Sequence, residues 1–150
     1  MKTLAVFAVA GLVACAPSEP RIVVTDAVVV VPAGDAPAAL YLTIENTGGA
    51  ADTLRAITTE RARTVSLHTQ ASGMGAMTHM VAMPALAVPA HGRIGLRPGA
   101  EHGMVEGLTS PLLAGDSVSF TMHFARSGTQ RVSARAVPYA ALDSLFPPRR

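Results

Sequence analysis

The segment D-S-V-S-F-T-M-H-F, residues 116–124, has the clearest secondary-structure pattern in the chain. Apolar and polar residues alternate strictly from Ser117 to Phe124. Because successive side chains of a β-strand point to opposite faces of a sheet, this period of two predicts a strand with one buried and one solvated face. Met122 falls on the apolar face and is interpreted as a core residue, whereas His123 falls on the solvated face.

Shorter segments of the same kind occur on both sides of it. They are rich in β-branched residues or alternate in polarity, and Gly- and Pro-containing turns separate them. The predicted strands cover residues 22–31, 40–45, 52–58, 64–68, 93–96, 102–105, 116–124 and 130–137. Residues 74–83 are interpreted as a loop that enters a strand, and residues 139–146 as a short helix. Many short strands with almost no helix favour one all-β domain, an antiparallel sandwich or barrel.

The N-terminus has the pattern of a signal peptide. A basic start at Lys2 precedes an unbroken run of apolar residues and Gly from Leu4 to Val13, which is too short to span a bilayer as a mature helix. The run ends L-V-A-C at Cys15, the only cysteine of the chain, and resembles the lipobox of bacterial lipoproteins. We therefore expect cleavage before Cys15 and lipidation of its sulfur, which would anchor the protein to a membrane. The alternative is a plain signal peptide with an incidental cysteine.

Composition excludes several classes of function. Charged residues make up only 15% of the chain, and the sequence shows no basic cluster with interleaved aromatics, so nucleic acid is not an expected partner. No nucleophile–base motif, telling carboxylate pair or Gly-rich phosphate loop is present, so we do not expect an enzyme. A blue-copper centre needs a thiolate ligand, and the mature chain offers none besides the expected lipid anchor.

Histidine and methionine are concentrated between His68 and Met104. Methionine recurs at every third position from Met74 to Met83, and His102-Gly103-Met104 follows. Thioether sulfur is a soft, uncharged ligand that favours Cu(I) over zinc, magnesium or calcium. The mixture of imidazole and thioether therefore predicts a Cu(I) site. His91, beside Gly92, is interpreted as a turn residue, and Met83 as a core residue.

These residues resemble the signature of the periplasmic PCu(A)C copper chaperones, in which a His, a Met and an H-x-M motif follow one another. The match falls on His68, Met80, His102 and Met104, and the flanking segments 41–46, 97–102 and 111–116 are similar as well. The resemblance implies a cupredoxin-like antiparallel Greek-key sandwich or barrel. It also implies a Cu(I) site made of these four residues and delivery of copper toward the CuA centre of cytochrome c oxidase.

The spacing departs from the family at one point, because one extra residue separates His68 from Met80. The register after Met80 favours Met80 as the ligand, with His79 as the alternative. Adjacent side chains on an extended backbone point to opposite faces, so both should not reach one ion. Met74, Met77 and His79 are auxiliary ligand candidates or loop-filling residues. We expect His68 at a strand end and Met80 in a loop, with Glu101 either orienting the ring of His102 or acting as a surface charge.

The resulting hypothesis divides the chain into a signal peptide (1–14), a lipidated Cys15 with a tether (15–21), a cupredoxin-like copper-binding domain (22–138) and a C-terminal tail (139–150). The expected protein is a monomeric copper chaperone on the periplasmic side of a bacterial membrane. It would be held there by its lipid, or alternatively be soluble in the periplasm. Its expected partner is a copper acceptor, either cytochrome c oxidase subunit II or another assembly chaperone. Two alternatives are a copper-sequestering or resistance lipoprotein without delivery, and a structural lipoprotein domain whose His and Met are incidental.

Overall fold

The computed structural model of the protein describes residues 18–72 and 78–147. Strands dominate this part of the chain, in agreement with the predicted all-β class. The strands are β1 (Ile22–Val30), β2 (Ala38–Asn46), β3 (Asp52–Thr58), β4 (Ala62–Ser72), β5 (Thr78–Met83), β6 (Leu86–Val88), β7 (Gly92–Leu96), β8 (His102–Leu108), β9 (Ser117–Phe124) and β10 (Thr129–Val137). A 3₁₀ turn, Tyr139–Ala141, and one helical turn, α1 (Leu142–Leu145), follow β10.

The strands form one continuous hydrogen-bonded sheet in the order β5-β4-β8-β2-β1-β10-β9-β3-β6, with β7 also paired to β2. The β1–β10 pair is parallel, a detail that the predicted antiparallel sandwich or barrel did not include. These two strands come from opposite ends of the domain. No tight hairpin turn joins them, so nothing local requires them to run in opposite directions.

The main core consists of the alternating inward residues of the strands. Phe120, Leu40 and Met122 are among the largest fully buried side chains, and Met83 packs against this core while partly exposed. Both methionines are therefore core residues, as the sequence predicted. Complete burial of one such side chain stabilises the fold by about 1.5–3 kcal/mol.

The C-terminal segment after β10 covers part of the outer face of the sheet. Leu142 is buried there with Tyr41, and the rings of Tyr41 and Phe146 lie 5.7 Å apart in an edge-to-face arrangement. The guanidinium carbon of Arg97 lies 4.7 Å from the centre of the Phe146 ring.

In the part of the chain that the structure describes, no helix is long and apolar enough to cross a membrane.

Asp52, at the start of β3, is a buried carboxylate that holds the loop between β9 and β10. Its oxygens accept hydrogen bonds from the amides of Thr53, Arg126 and Ser127, and from the Ser127 hydroxyl. Burial acts to raise the pKa of Asp52, but these hydrogen bonds together outweigh it and hold the pKa below its usual value. The carboxylate therefore stabilises the loop in its ionised form.

Candidate metal centre

The pairing of β4 with β8 brings four polar or thioether side chains onto the outer face of the sheet. The antiparallel register sets His68 opposite His102 and Ser66 opposite Met104. Leu67, which alternates with them on β4, points the other way into the main core. Strand alternation therefore gives His68, Ser66, His102 and Met104 one common face.

The β4–β5 hairpin adds Met80 to this face. Gln70 pairs with Met80 and Ala71 with His79, so Met80 shares the face of His68 and His79 lies on the opposite one. The predictions of His68 at a strand end and Met80 in a loop were wrong. The hairpin ladder continues as far as the Ser72–Thr78 pair, because each further pair satisfies backbone donors and acceptors that a loop would leave to solvent.

The ring of His102 is held in one orientation by the backbone. Its Nδ1 lies 3.0 Å from the carbonyl oxygen of Ala100, which can only accept a hydrogen bond. In the neutral ring Nδ1 therefore carries the proton, and Nε2 presents a lone pair. His102 is only 7% exposed, so the ring has little freedom to leave this arrangement.

The lone pair of His102 faces the sulfur of Met80. Nε2 lies 3.3 Å from Sδ, and a thioether has no proton to donate. Two acceptors in contact gain nothing from each other. Metal–nitrogen and metal–sulfur bonds of about 2.0 and 2.3 Å put two ligand atoms of one ion about 3 to 4 Å apart. The pair therefore has the separation that a shared metal ion requires.

His68 lies beside this pair. Its ring is stacked on that of His102 with the centres 6.0 Å apart and the planes at 25°. Its Nε2 lies 2.9 Å from the hydroxyl oxygen of Ser66, whereas its Nδ1 is buried and has no hydrogen-bond partner among the described residues. Met104, half-buried on the same face, pairs with Ser66 on one side and Ala39 on the other.

Close packing against β2 explains why a glycine, Gly103, lies between His102 and Met104. A Cβ built at this position would lie 3.1 Å from the Cβ of Leu40 on the neighbouring strand, which is a tight contact. Absence of a side chain lets β8 pack closely against β2 while its two neighbours point outward. In the H-G-M sequence, the glycine therefore faces the core and the His and Met side chains lie on the outer face.

The turn from β7 to β8 orients the ring of His102. Ala100 does so through its backbone carbonyl, and not Glu101, which the sequence suggested as one possibility. Arg97 and Ala100 close the turn, with the Ala100 amide 3.1 Å from the Arg97 carbonyl. The carboxylate of Glu101 accepts a bond of 3.5 Å from the Thr69 hydroxyl, while the Ala100 carbonyl holds the His102 ring. A backbone carbonyl carries no residue-specific signal, so the sequence could not identify it. Ser66, two residues before His68, could have been found by strand alternation.

The remaining candidates lie elsewhere. Met74, Met77 and Cys15 fall outside the described residues. His91 occupies a turn with φ of 51°, as predicted, and His123 is half-buried with its Nε2 3.0 Å from the Thr58 hydroxyl. Within residues 18–72 and 78–147 no group of three or more His, Cys, Asp and Glu side chains is arranged to hold a metal.

Three comparisons relate this geometry to known proteins. The family described as "Putative lipoprotein LpqE-like" matches residues 22–136. A protein of Leifsonia xyli subsp. xyli (strain CTCB07), named "Putative lipoprotein Lxx21020", is 30% identical over 114 residues, which are 76% of this chain and 69% of the relative. Both matches include the outer face described above.

Solved structures share the fold. The copper-bound PCuAC domain from PmoF2 superposes with a TM-score of 0.67 at 20% identity, over 78% of this chain and 92% of that domain. The solution structure of CuI-DR1885 from Deinococcus radiodurans gives a TM-score of 0.57 at 30% identity, over 81% of this chain and 79% of that one. The expected cupredoxin-like β fold is confirmed. The chain therefore belongs to the LpqE-like lipoprotein family, and its domain is of the PCuAC type that its sequence resembles.

Proposed function

We propose that this protein is a copper chaperone that binds one Cu(I) ion through His68, Met80, His102 and Met104. The observation that carries the proposal is the contact of two lone-pair donors, His102 Nε2 and Met80 Sδ, 3.3 Å apart. Two imidazoles and two thioethers are neutral ligands. They suit a soft monovalent ion better than the hard divalent ions, which favour oxygen.

The comparisons support copper as the cargo. Two of the related structures are named for bound copper, one as a copper-bound PCuAC domain and one as a Cu(I) form. The family and the curated relative are both named as lipoproteins, which supports anchoring through Cys15 to the outer side of a bacterial membrane. On this proposal residues 1–14 are removed, residues 15–21 form the tether, residues 22–138 hold copper, and residues 139–150 form a tail whose first part packs on the sheet.

Accessibility of the site favours delivery over storage. Met80 is 55% exposed and lies on β5, at the edge of the sheet order. An incoming acceptor could replace this thioether first, while the buried His102 keeps hold of the ion. An exposed ligand of this kind suits exchange of the ion with a partner. We therefore propose transfer to a copper-accepting protein, toward the CuA centre of cytochrome c oxidase, by a monomeric chaperone.

Metal selectivity tests the binding part of the proposal. The full-length protein, titrated with Cu(I) against a Cu(I) chelator and with Zn(II) against a zinc chelator, should retain one equivalent of Cu(I) and lose Zn(II). Ag(I), a soft monovalent surrogate, should behave like Cu(I). Equal retention of Zn(II) and Cu(I) would contradict a thioether site, because zinc is normally held by thiolate, imidazole or carboxylate ligands.

A delivery assay separates the chaperone from the sequestering alternative. The Cu(I)-loaded protein is mixed with the soluble copper domain of cytochrome c oxidase subunit II, and copper in each partner is measured after separation. Transfer within minutes is expected. Copper that stays with the chaperone at equal concentrations of acceptor would favour sequestration.

A further inference from the structure

We infer that His68 binds the ion through Nδ1, and that Ser66 is the positioning residue that makes this nitrogen available by accepting a hydrogen bond from Nε2–H. The inference rests on the proposed Cu(I) site and specifies how one of its ligands is held. Ser66 lies two residues before His68 on β4, so both side chains share the outer face.

The argument begins with the proton on the ring of His68. A hydrogen bond joins Nε2 and the Ser66 oxygen at 2.9 Å, and either atom can be the donor. If Ser66 donates, the ring proton sits on Nδ1, which is buried and has no acceptor among the described residues. If Nε2–H donates, Nδ1 keeps only a lone pair. Buried N–H groups without a partner are rarer than under-satisfied acceptors, so the second arrangement is favoured.

An unpaired lone pair on Nδ1 is what a metal ligand presents before the ion arrives. Other buried polar atoms also lack partners in the described part of the chain, namely Arg61 Nε, Arg97 Nη1 and Gln130 Oε1. The two arginine nitrogens belong to cationic groups that only donate, and the amide oxygen is a hard ligand. The imidazole nitrogen of His68 is distinguished by its chemistry and by the stacked ring of His102 next to it.

The two histidines are thus fixed in opposite tautomers. The Ala100 carbonyl accepts a hydrogen bond from Nδ1–H of His102 and leaves Nε2 free, whereas the Ser66 oxygen accepts one from Nε2–H of His68 and leaves Nδ1 free. A hydrogen bond from the non-ligating nitrogen orients a metal-bound imidazole and raises its basicity. Ser66 on β4 and the Ala100 carbonyl in the turn before β8 therefore each hold the non-ligating nitrogen of one ring.

Nitrogen-15 NMR of the imidazole rings tests this assignment directly. Long-range ¹H–¹⁵N spectra of the full-length wild-type protein are recorded without metal and with one equivalent of Ag(I) or Cu(I). Without metal, His68 should show a protonated Nε2 and an unprotonated Nδ1, and His102 the reverse. On metal addition the resonances of His68 Nδ1 and His102 Nε2 should shift most. A larger shift at His68 Nε2 would overturn the inference while leaving the copper site intact.

Variants at position 66 separate positioning from a merely structural role. Ser66→Ala should mix the two tautomers of His68 and weaken Cu(I) binding about fivefold, the equivalent of a neutral hydrogen bond of about 1 kcal/mol. Ser66→Thr keeps the hydroxyl and should restore both the tautomer and the affinity. Ser119→Ala, an exposed serine on β9, is the matched control and should change neither.

The outcomes distinguish this inference from the proposed function. Absence of Cu(I) and Ag(I) binding by the wild-type protein would overturn both. Metal binding with an unchanged His68 tautomer and unchanged affinity in Ser66→Ala would overturn the role of Ser66 alone. A loss of affinity that Ser66→Thr fails to restore would also overturn it, because the effect would then not depend on the hydroxyl.

Discussion

Asp52 and His102 are both buried side chains, 3% and 7% exposed, but their surroundings treat them in opposite ways. Asp52 lies on β3, near one end of the sheet order, and three backbone amides and a serine hydroxyl donate to its carboxylate. His102 lies on β8, toward the other end, with one nitrogen paired to a carbonyl and the other facing a sulfur that has no proton.

The difference separates a structural polar group from a candidate ligand. A buried polar group whose hydrogen bonds are complete stabilises the fold and has no capacity left for another partner. The face that contains His102, His68 and Met80 keeps lone pairs that no described donor satisfies. Such unsatisfied lone pairs lower the stability of the metal-free protein, and binding of an ion offsets this cost.

Removal of His102, a proposed ligand, gives the largest expected effect. His102→Ala should weaken Cu(I) binding by about 100-fold or more, beyond the range of about 10- to 100-fold that is typical of outer-shell partners. Loss of this buried ring should also lower the free energy of unfolding of the metal-free protein, so the Cu(I) affinity is compared under conditions in which both proteins are folded. A Cu(I) competition titration and urea unfolding of the same samples measure both. An unchanged affinity would remove His102 from the site and end the contrast with Asp52.

The reciprocal substitution tests the other side of the comparison. Asp52→Asn replaces one acceptor oxygen by an NH2 group that faces backbone donors. We expect the free energy of unfolding to fall by about 2 kcal/mol, the scale of hydrogen bonds to a charged group. The affinity of the folded protein for Cu(I) should stay the same. A matching loss of Cu(I) affinity would show that the two regions are coupled.

Adjacent residues on β5 sharpen the comparison within the site. Met80→Ala should weaken Cu(I) binding about tenfold, less than His102→Ala, because Met80 is exposed and water or another ligand can take its place on the ion. His79→Ala, the matched control on the opposite face of the strand, should change the affinity less than twofold by the same titration. The reverse order of effects would mean that the hairpin register in solution differs from the Gln70–Met80 pairing.

Acid stability provides the smallest expected effect and concerns Asp52 alone. Its pKa in the folded protein lies below the usual value, so its hydrogen bonds contribute fully above that usual value. As the pH falls through the usual value toward the folded pKa, the unfolded chain takes up the proton first, and the contribution is lost. Urea unfolding between pH 6 and pH 3 should show a steeper decline for the wild type than for Asp52→Asn. Equal slopes would mean that the carboxylate is not stabilised in its ionised form.

Strand positions were predictable where alternation was strong. The predicted strand at 116–124 agrees with β9 to within one residue, because its strict alternation reports one buried face directly. The predicted strand at 52–58 coincides with β3. The short β6 was missed, since three residues between prolines are too few to show a period. The parallel β1–β10 pair was missed because sequence patterns do not specify which distant strands become neighbours.

The features of the candidate site also fall into those that the sequence predicts and those that it does not. The sequence alone determined the soft ligand types, the H-G-M spacing that sends His102 and Met104 to one face, and the opposition of His79 and Met80, because these follow from residue chemistry and local strand geometry. Only the tertiary structure decided that His68 lies opposite His102 and that the sulfur of Met80 lies close to Nε2 of His102. It also decided that Ala100 holds the ring of His102 and that Ser66 holds the ring of His68. Those relations depend on the register between strands distant in the chain, which is set by how the whole core packs.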